Sequence, residues 1–253
     1  MSSQLDQHPA QAERLWLFLD YDGTLAEFSP TPEHVIPNPQ VVNGLLRLSR
    51  RPATRIAVIS GRRLDHIRSL LPVPGILLAG TYGIELRTPE GEQINRVDYG
   101  AVRPGLDVLK PRWEQLIAGC QGFFLEDKGW SLALHARYAA DDEARRVLET
   151  ARRMASESVN WGAFRVLGGH KFLEVGPQLA HKGQTVSYLI DRYPWPGALL
   201  VYMGDDDKDE EAFEVIKARG GLTILVSQQV RRTQADYRLE SPQAARQWLE
   251  GLS

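Results

Sequence analysis

The sequence contains a single cysteine, Cys120, among its 253 residues. One cysteine cannot form a disulfide within the chain, so this composition fits a reducing compartment. Long apolar runs are also missing, and the segment 1–13 is polar and lacks the basic start and apolar centre of a secretory signal. We therefore predict a soluble cytoplasmic protein with no membrane partner.

An excess of basic residues is missing as well. The 30 lysines and arginines are balanced by 32 aspartates and glutamates, which gives a formal net charge of -2. Proteins that bind nucleic acid normally carry a basic excess, so no nucleic-acid partner is expected. The apolar fraction of 43% is enough to bury a core in one large domain or two small ones.

The stretch 15–25 is the most informative part of the chain. It begins as an unbroken apolar run and ends in Asp20, Asp22, Gly23 and Thr24. A run of this kind predicts a parallel strand buried on both faces, and open parallel sheets bind ligands at the carboxyl ends of their strands. Two carboxylates there would repel each other unless one holds a proton or a cation lies between them. The spacing indicates a metal or an acid–base pair, although a polar strand end followed by a turn would also explain it.

Three later stretches repeat the pattern of an apolar run or helix start that meets a group suited to phosphate or metal. The stretch 56–62 ends in Ser-Gly-Arg, where a hydroxyl and free backbone amides at a helix start would face an anion. Lys182 opens another helical pattern, and the apolar run 199–204 leads into the acidic segment 205–211. A helix cap, a surface lysine and a solvated loop would each explain one of these features. The complete series in this order is harder to explain piece by piece.

In this order the motifs resemble those of the haloacid dehalogenase superfamily of phosphatases. The resemblance spans nearly the whole chain, and its first and last motifs are the most specific. It is carried by Asp20-Tyr21-Asp22-Gly23-Thr24, Ser60-Gly61-Arg62, Lys182-Gly183 and Gly204-Asp205-Asp206-Asp207-Lys208-Asp209-Glu210.

The resemblance implies phosphoryl transfer in two steps. Asp20 is the expected nucleophile, and Asp22 is the expected general acid and base, which protonates the leaving oxygen and later activates water. Mg²⁺ is the expected cofactor because it would neutralise charge between the carboxylates and the phosphoryl oxygens. The expected metal ligands are a carboxylate oxygen of Asp20, the backbone carbonyl of Asp22 and Asp205, with Asp206 and Asp209 beside the metal and its waters. The expected phosphate contacts are Thr24, Ser60, Gly61 and Lys182.

The pattern changes between the second and third motifs. Residues 98–177 read as a helix, two strands, a second helix and two more strands, which predicts a compact α+β unit with an antiparallel sheet. The expected fold class is α/β, with a Rossmann-like parallel-sheet core formed by residues 1–97 and 178–253 and an inserted cap domain at 98–177. By resemblance the cap recognises the substrate while the core performs the chemistry. A proline-rich loop, 28–39, is expected to lie over the site.

Within the superfamily the sequence is most similar to the trehalose-6-phosphate phosphatases. The stretches that carry this similarity are 19–26, the proline-rich loop, 78–85, 135–137 and 171–177, with departures at Tyr82, Ala136, Gly176 and Lys208. The similarity implies hydrolysis of trehalose 6-phosphate, a small sugar phosphate, with sugar or phosphate contacts from the cap at Glu126, Lys128, His135, Arg137, Lys171 and Glu174. The polar face of an antiparallel sheet would also place such residues, yet acidic and basic groups together suit a polyol.

Other functions stay open at this point. A related phosphatase would act on sucrose phosphate, a glycosyl-phosphoglycerate or a hexose phosphate. A phospho-accepting receiver domain of a signalling protein also places an aspartate at a strand end, with a hydroxyl and a lysine nearby. It needs neither Asp22 nor an inserted lid, so both features count against it. The sequence does not indicate an oligomeric state.

Overall fold

The computed structural model describes residues 9, 11–28, 35–158, 162–169 and 171–252. The chain divides into two compact units, which we call the core unit (Met1–Ile94 with His181–Ser253) and the inserted unit (Asn95–Ala180). Half of the predicted proline-rich loop, residues 29–34, and most of the polar segment 1–13 lie outside the described residues. Among the described residues, no helix combines the length and the apolar character needed to cross a bilayer.

The elements alternate between strands and helices over most of the chain. In chain order the strands are β1 (Leu15–Leu19), β2 (Thr54–Ile59), β3 (Leu77–Gly80), β4 (Glu85–Arg87), β5 (Gln93–Asn95), β6 (Phe124–Asp127), β7 (Leu132–His135), β8 (Phe164–Gly169), β9 (Phe172–Pro177), β10 (Leu199–Gly204), β11 (Leu222–Val226) and β12 (Tyr237–Leu239). The described α-helices are α1 (Pro39–Ser49), α2 (Leu64–Leu70), α3 (Tyr99–Ile117), α4 (Asp141–Ser158), α5 (Lys182–Arg192), α6 (Glu210–Ala218) and α7 (Pro242–Gly251).

The core unit is built on a sheet with the strand order β12-β11-β10-β1-β2-β3-β4-β5. The pairs from β12 to β3 are parallel, and β4 runs antiparallel to β3. All five residues of β1 are apolar and buried, so this strand has no polar face and requires cover on both sides. Since β10 and β2 flank β1 in parallel, the carboxyl ends of the three strands meet at one edge of the sheet. Asp20, Ser60 and Asp205 follow directly at that edge.

Two apolar layers cover the faces of this sheet. Leu15, Leu17 and Leu19 of β1 belong to one layer, and Trp16 and Phe18 belong to the other, because successive side chains of a strand point to opposite faces. Helices α1, α2 and α7 contribute to the first layer, and α5 and α6 contribute to the second. The sheet is therefore sandwiched between helices, which leaves its strand ends as the place for polar chemistry.

The inserted unit contains an antiparallel sheet with the order β6-β7-β9-β8. Helices α3 and α4 pack on one face, where Trp113 is fully buried and its indole N–H donates to the carbonyl of Ala151 at 3.1 Å. The predicted fold class is confirmed: a parallel sheet forms the core, and a separate α+β unit with two helices and an antiparallel sheet is inserted into it.

An ion-pair cluster at the edge of the inserted unit connects α3 to β6. Arg103 donates to both carboxylate oxygens of Asp127, at 2.8 and 2.9 Å, and Lys110 and the amide of Gly129 add bonds of 3.0 and 2.9 Å. The hydrogen bonds from Arg103 hold the pKa of Asp127 well below its usual range, against the opposing effect of partial burial. Arg103 also pairs with Asp107, whose side chain is 57% exposed.

We expect Asp127→Asn to lower the free energy of unfolding by about 2 kcal/mol at pH 7, because hydrogen bonds to charged groups each contribute roughly 1.5–3 kcal/mol. The folded pKa lies below the unfolded value of about 3.9, so this stabilisation is present above about pH 4 and is lost as the pH falls towards the folded pKa. Urea unfolding should therefore show a smaller difference between variant and wild type at about pH 3 than at pH 7. Asp107→Asn removes the exposed partner and should cost less than about 1 kcal/mol. If the two variants lost the same free energy of unfolding, Asp127 would not be the carboxylate that stabilises this cluster.

Candidate active site

Asp20 is the first residue after the middle strand of the core sheet. Its amide continues the β1–β10 ladder by donating to the carbonyl of Met203 at 2.9 Å, and its side chain is almost completely buried. The chain then folds back on itself: Gly23 has a φ of +82°, and the amides of Leu25 and Ala26 both donate to the carbonyl of Tyr21 at 2.9 Å. The strand and this tight loop fix the backbone of Asp20, and its side-chain contacts set the direction of the carboxylate.

Lys182 lies between two buried carboxylates. It opens α5, and its ammonium donates to Asp20 Oδ1 at 2.7 Å and to Asp209 Oδ1 at 2.6 Å, with only 3% of the residue exposed. Burial by itself would lower the pKa of Lys182, but the charges of Asp20 and Asp209 outweigh this effect and raise its pKa well above the usual value. Lys182 is therefore a permanent positive charge inside the site.

Asp209 organises the acidic loop after β10. Its Oδ1 accepts from Lys182 and from the Tyr202 hydroxyl at 2.7 Å, and its Oδ2 accepts from the amides of Asp205 and Asp206 at 3.0 Å each. A carboxylate offers about four lone-pair positions, and these four donors fill them. Asp209 thus fixes the loop backbone and the ammonium, and it has little capacity left to coordinate an ion directly.

Asp205 lies opposite the first loop. The buried hydroxyl of Thr24 donates to its Oδ1 at 3.1 Å, and a Cβ placed on Gly23 would lie 2.2 Å from its Oδ2. Thr24 is also a predicted phosphate contact, and in the structure its hydroxyl orients Asp205. Gly23 is required because any larger side chain would collide with that carboxylate.

The carboxylates of Asp20, Asp205 and Asp209 form a cluster that suits a divalent cation. Each offers an oxygen within 4.8 Å of the others. Burial raises the pKa of Asp205 to about 7, and the charges of Asp209 and Asp206 add to the shift. Burial likewise raises the pKa of Asp20, since Lys182 only partly offsets burial and the neighbouring Asp209 and Asp205. One ammonium is too little charge for three carboxylates, and a hard cation with oxygen ligands such as Mg²⁺ matches both the charge and the donor type.

Two basic side chains, one within the acidic segment 205–211 and one outside it, partly neutralise its charge. Lys208 donates to Asp206 at 2.8 Å, and Arg231 donates to Asp207 at 2.5 Å and to the carbonyl of Asp205 at 3.1 Å. Burial alone would raise the pKa of Asp206, but Lys182 and Lys208 outweigh it and lower that pKa below its usual range. Asp206 and Asp207 are therefore paired with side-chain cations, whereas Asp20, Asp205 and Asp209 form the cluster that could hold a metal ion.

The loop after β2 brings Ser60 and Gly61 to the same sheet edge. Ser60 is fully buried, and its Oγ accepts from the amide of Arg62 at 3.1 Å. The free amides expected at the start of α2 are not all free, because the amide of Leu64 donates to the Glu85 carboxylate at 3.1 Å. The glutamate acts as the cap that Arg63 does not provide. Ser60 therefore lies at the sheet edge, in a loop that is held by hydrogen bonds from other segments of the chain.

A strained turn at 81–83 supports this loop. Thr81, Tyr82 and Gly83 all have positive φ, at 48°, 55° and 98°. The amides of Thr81 and Tyr82 donate to the carbonyls of Arg62 and Ser60 at 2.7 and 2.8 Å, and Thr185 of α5 donates to the carbonyl of Tyr82 at 2.8 Å. Strain of this kind persists only where surrounding contacts hold it. Gly80 and Gly83, which lie at the two ends of this turn, were the sequence signal that could have predicted it.

Arg62 and Asp22 form a further contact that was not anticipated. Arg62 Nε donates to Asp22 Oδ2 at 2.7 Å, and Nη2 donates to Asp22 Oδ1 at 2.6 Å. Both oxygens of the expected general acid are therefore engaged by one guanidinium.

In the inserted unit, four of the six expected substrate contacts lie together on the sheet face opposite the helices. Lys128 donates to Glu174 at 3.1 Å, His135 lies 3.0 Å from Glu126, and Glu126 lies 4.0 Å from Lys128. Two expected residues lie elsewhere: Lys171 pairs with Asp141 at 2.7 Å, and Arg137 is exposed in the turn after β7.

The same face carries aromatic rings that the sequence interpretation missed. His135 stacks on Phe124 with ring centres 4.2 Å apart and lies 5.2 Å from Phe172. Position 124 pairs with 135, and 135 with 172, in the antiparallel register. The alternation of these residues along their strands was a signal that could have identified them.

The chain combines a parallel sheet that has aspartates at the ends of two adjacent strands, a buried lysine that contacts Asp20, and an inserted α+β unit. This fold is shared with a solved haloacid dehalogenase-like hydrolase from Bacteroides thetaiotaomicron, with a TM-score of 0.65 at 16% identity, covering 94% of this chain and 98% of that chain. The C-terminal domain of C. albicans trehalose-6-phosphate phosphatase shares it with a TM-score of 0.84 at 22% identity, covering 98% and 95%.

The chain belongs to the trehalose-phosphatase family, whose sequence profile matches residues 18–243. It is 33% identical to a trehalose-phosphate phosphatase of Mycobacterium avium (strain 104), over 98% of this chain and 62% of that protein's length. It is 31% identical to a probable trehalose-phosphate phosphatase of Sinorhizobium fredii, over 94% of this chain and 87% of that protein. The chain therefore spans less than two thirds of the mycobacterial relative.

Proposed function

We propose that this protein hydrolyses trehalose 6-phosphate to trehalose and phosphate in the cytoplasm, with Mg²⁺ as its cofactor. The observation that carries the proposal is the buried constellation of Asp20, Lys182, Asp205 and Asp209 at the edge of the core sheet. Membership of the trehalose-phosphatase family supports the substrate class.

Asp20 is the proposed nucleophile. One of its carboxylate oxygens forms a bond to phosphorus while the bond from phosphorus to the sugar oxygen breaks, and Asp22 gives that oxygen its proton. Asp22 then takes a proton from water, the water oxygen attacks phosphorus, and the bond to Asp20 breaks to release phosphate. Lys182 holds Asp20 in one orientation and keeps a positive charge next to the reacting group.

Asp20, Asp205 and the backbone carbonyl of Asp22 are the groups that would hold Mg²⁺, with Asp206 and Asp209 beside it. When bound, the ion supplies positive charge that offsets the phosphoryl oxygens and the buried carboxylates. The two oxygens of Asp209 are occupied by four donors, which favours a supporting role for this residue over direct coordination. Ser60, Gly61, Thr24 and Lys182 are the proposed phosphate contacts.

The inserted unit is the proposed substrate-recognition cap. Glu126, Lys128, His135 and Glu174 combine acceptors and donors on one sheet face, which suits a ligand rich in hydroxyl groups. Phe124 and Phe172 add flat apolar surface beside them. Arg137 and Lys171 are proposed as outer contacts of the same substrate.

The test is phosphate release from trehalose 6-phosphate, sucrose 6-phosphate and glucose 6-phosphate, each with Mg²⁺ and with a chelator. We expect release from trehalose 6-phosphate to be at least about tenfold faster than from the other two esters, since a site built to bond substrate hydroxyls discriminates strongly against an ill-fitting analogue. Release should stop when the metal is chelated. Equal rates on all three would reject the disaccharide assignment and leave a less specific sugar phosphatase, whereas no release from any ester would reject the activity itself.

Gly23→Ala provides an independent test of the metal site. The added Cβ would lie 2.2 Å from Asp205 Oδ2, so we expect kcat to fall by about 10²-fold, the effect of displacing a catalytic group by roughly 1 Å. Gly75→Ala is the matched control, because Gly75 also has a positive φ of +76° but has nothing within 4 Å of the added Cβ. Both variants should lose about 1 kcal/mol of stability from the backbone conformation. If Gly75→Ala reduced kcat as strongly, strain alone would explain the result.

A further inference from the structure

Arg62 and Asp22 form a bidentate ion pair in the core unit. The guanidinium presents two parallel N–H groups to the two carboxylate oxygens, at 2.7 and 2.6 Å. Arg62 and Asp22 expose only 8% and 23% of their side chains. A bidentate pair fixes the plane of the carboxylate as well as its distance, which a single hydrogen bond or a lysine would not do.

Arg62 is itself held from several sides. Its amide donates to Ser60 Oγ at 3.1 Å, and its carbonyl accepts from Thr81 at 2.7 Å. Its Nη1 lies 3.2 Å from His66 Nε2, and its guanidinium lies 6.0 Å from the centre of the Tyr21 ring. The residue therefore connects the Ser60 loop rigidly to the side chain of Asp22.

We propose that Arg62 is a positioning residue for Asp22, and this inference rests on the proposed function because Asp22 is the general acid and base there. Arg62 holds the carboxylate plane in a fixed direction at the end of β1. Each oxygen accepts one bond from Arg62 and keeps a second lone pair, which can carry the proton delivered to the leaving group. Loss of the guanidinium frees the Asp22 side chain to rotate, and proton transfer then becomes the affected step.

Two esters separate proton transfer from the rest of the reaction. The sugar oxygen of trehalose 6-phosphate needs a proton to leave, whereas the p-nitrophenolate of p-nitrophenyl phosphate leaves without one. The first turnover after rapid mixing is the quantity to measure, since it reports phosphoryl transfer to Asp20 before water attacks. For Arg62→Ala we expect the first-turnover rate with trehalose 6-phosphate to fall by about 10²-fold, within the range for lost general acid catalysis. With p-nitrophenyl phosphate we expect a fall of less than about fivefold.

Further variants distinguish positioning of Asp22 by Arg62 from an effect of its charge or of its contribution to folding. Arg62→Lys keeps the charge but not the fork, so it should show most of the loss seen for Arg62→Ala, and it also serves if the alanine variant does not fold. Arg68→Ala, in helix α2 just after Arg62 and with its side chain 59% exposed, should behave as wild type. In an Asp22→Asn background, Arg62→Ala should reduce the rate with trehalose 6-phosphate no further.

Other results would overturn the inference. Equal falls with both esters, a raised KM with unchanged kcat, or a full further loss in the Asp22→Asn background would show that Arg62 acts on the phosphate or the fold instead. If the wild type cleaves another sugar phosphate but not trehalose 6-phosphate, the proposed substrate fails and the same comparison decides the role of Arg62 with that sugar ester. A wild type that cleaves no ester would overturn both proposals.

Discussion

Asp20→Asn is expected to reduce phosphate release by about 10⁴-fold or more, in the range seen when a catalytic nucleophile is removed. An amide oxygen is a poor nucleophile, so no bond to phosphorus would form at this position. Acid quenching of the wild type during turnover should give a peptide containing Asp20 whose mass is increased by one phosphoryl group. The variant should give none.

The fold of this variant should survive. Asparagine is nearly the same size as aspartate, and its carbonyl oxygen can still accept from Lys182. Because burial raises the pKa of Asp20, its charged form is costly, and the neutral variant should be at least as stable as wild type at pH 8. Asp65→Asn, on an exposed side chain of α2, is the control for loss of one acidic group. Retention of more than a tenth of the wild-type rate by Asp20→Asn would refute its role as nucleophile.

Lys182→Met is expected to lower the free energy of unfolding by about 3–5 kcal/mol at pH 8, because it leaves two buried carboxylates without their cation. Turnover should also fall, since Asp20 loses its orienting partner. Urea unfolding followed by circular dichroism measures the stability change, and phosphate release measures the turnover.

The stability loss should depend on pH with a definite sign. Without the ammonium, the folded pKa values of Asp20 and Asp209 rise further above their unfolded values, so the folded state binds more protons than the unfolded state. Stability then falls as the pH rises through the folded pKa values, and the deficit of Lys182→Met should be smaller at pH 5 than at pH 8. Adding Asp20→Asn should recover part of it, because the two residues are in direct contact.

Lys217→Met is the matched control for this prediction. Lys217 pairs with Asp236 at 2.8 Å, but its side chain is 41% exposed, so its removal should cost less than about 1 kcal/mol at either pH. If Lys182→Met were as stable as Lys217→Met at pH 8, the ammonium of Lys182 would not be needed to balance the buried carboxylates.

Several parts of the structure could be predicted because they depend on local pattern. The β1 sequence Leu-Trp-Leu-Phe-Leu is apolar at every position, which specifies burial on both faces and a place inside a parallel sheet. The helical and alternating patterns of residues 98–177 indicated the inserted α+β unit. The first helix of this unit was predicted from its apolar spacing even though it contains two prolines. Helix α3 begins at Tyr99 and continues through Pro104 and Pro111, although proline normally ends a helix.

The partners of the site residues could not be predicted in the same way. Arg62 and Asp22 are 40 positions apart, Lys182 and Asp20 are 162 apart, and both pairs form only when the sheet brings their loops to one edge. The Thr24 hydroxyl pairs with Asp205, and Glu85 caps the helix beside Ser60. Nothing in the spacing of these residues distinguishes such pairings from contacts with a phosphate.

The sequence by itself determined which residue types stand at the ends of which strands, because burial and periodicity are properties of neighbouring positions. Only the tertiary structure decided how those side chains share their hydrogen bonds. A carboxylate has about four acceptor positions, and which donors fill them depends on distances between segments that are remote in the chain. For that reason Asp209 accepts from four donors and organises the loop, and Asp20 and Asp205 are the side chains that we propose as metal ligands.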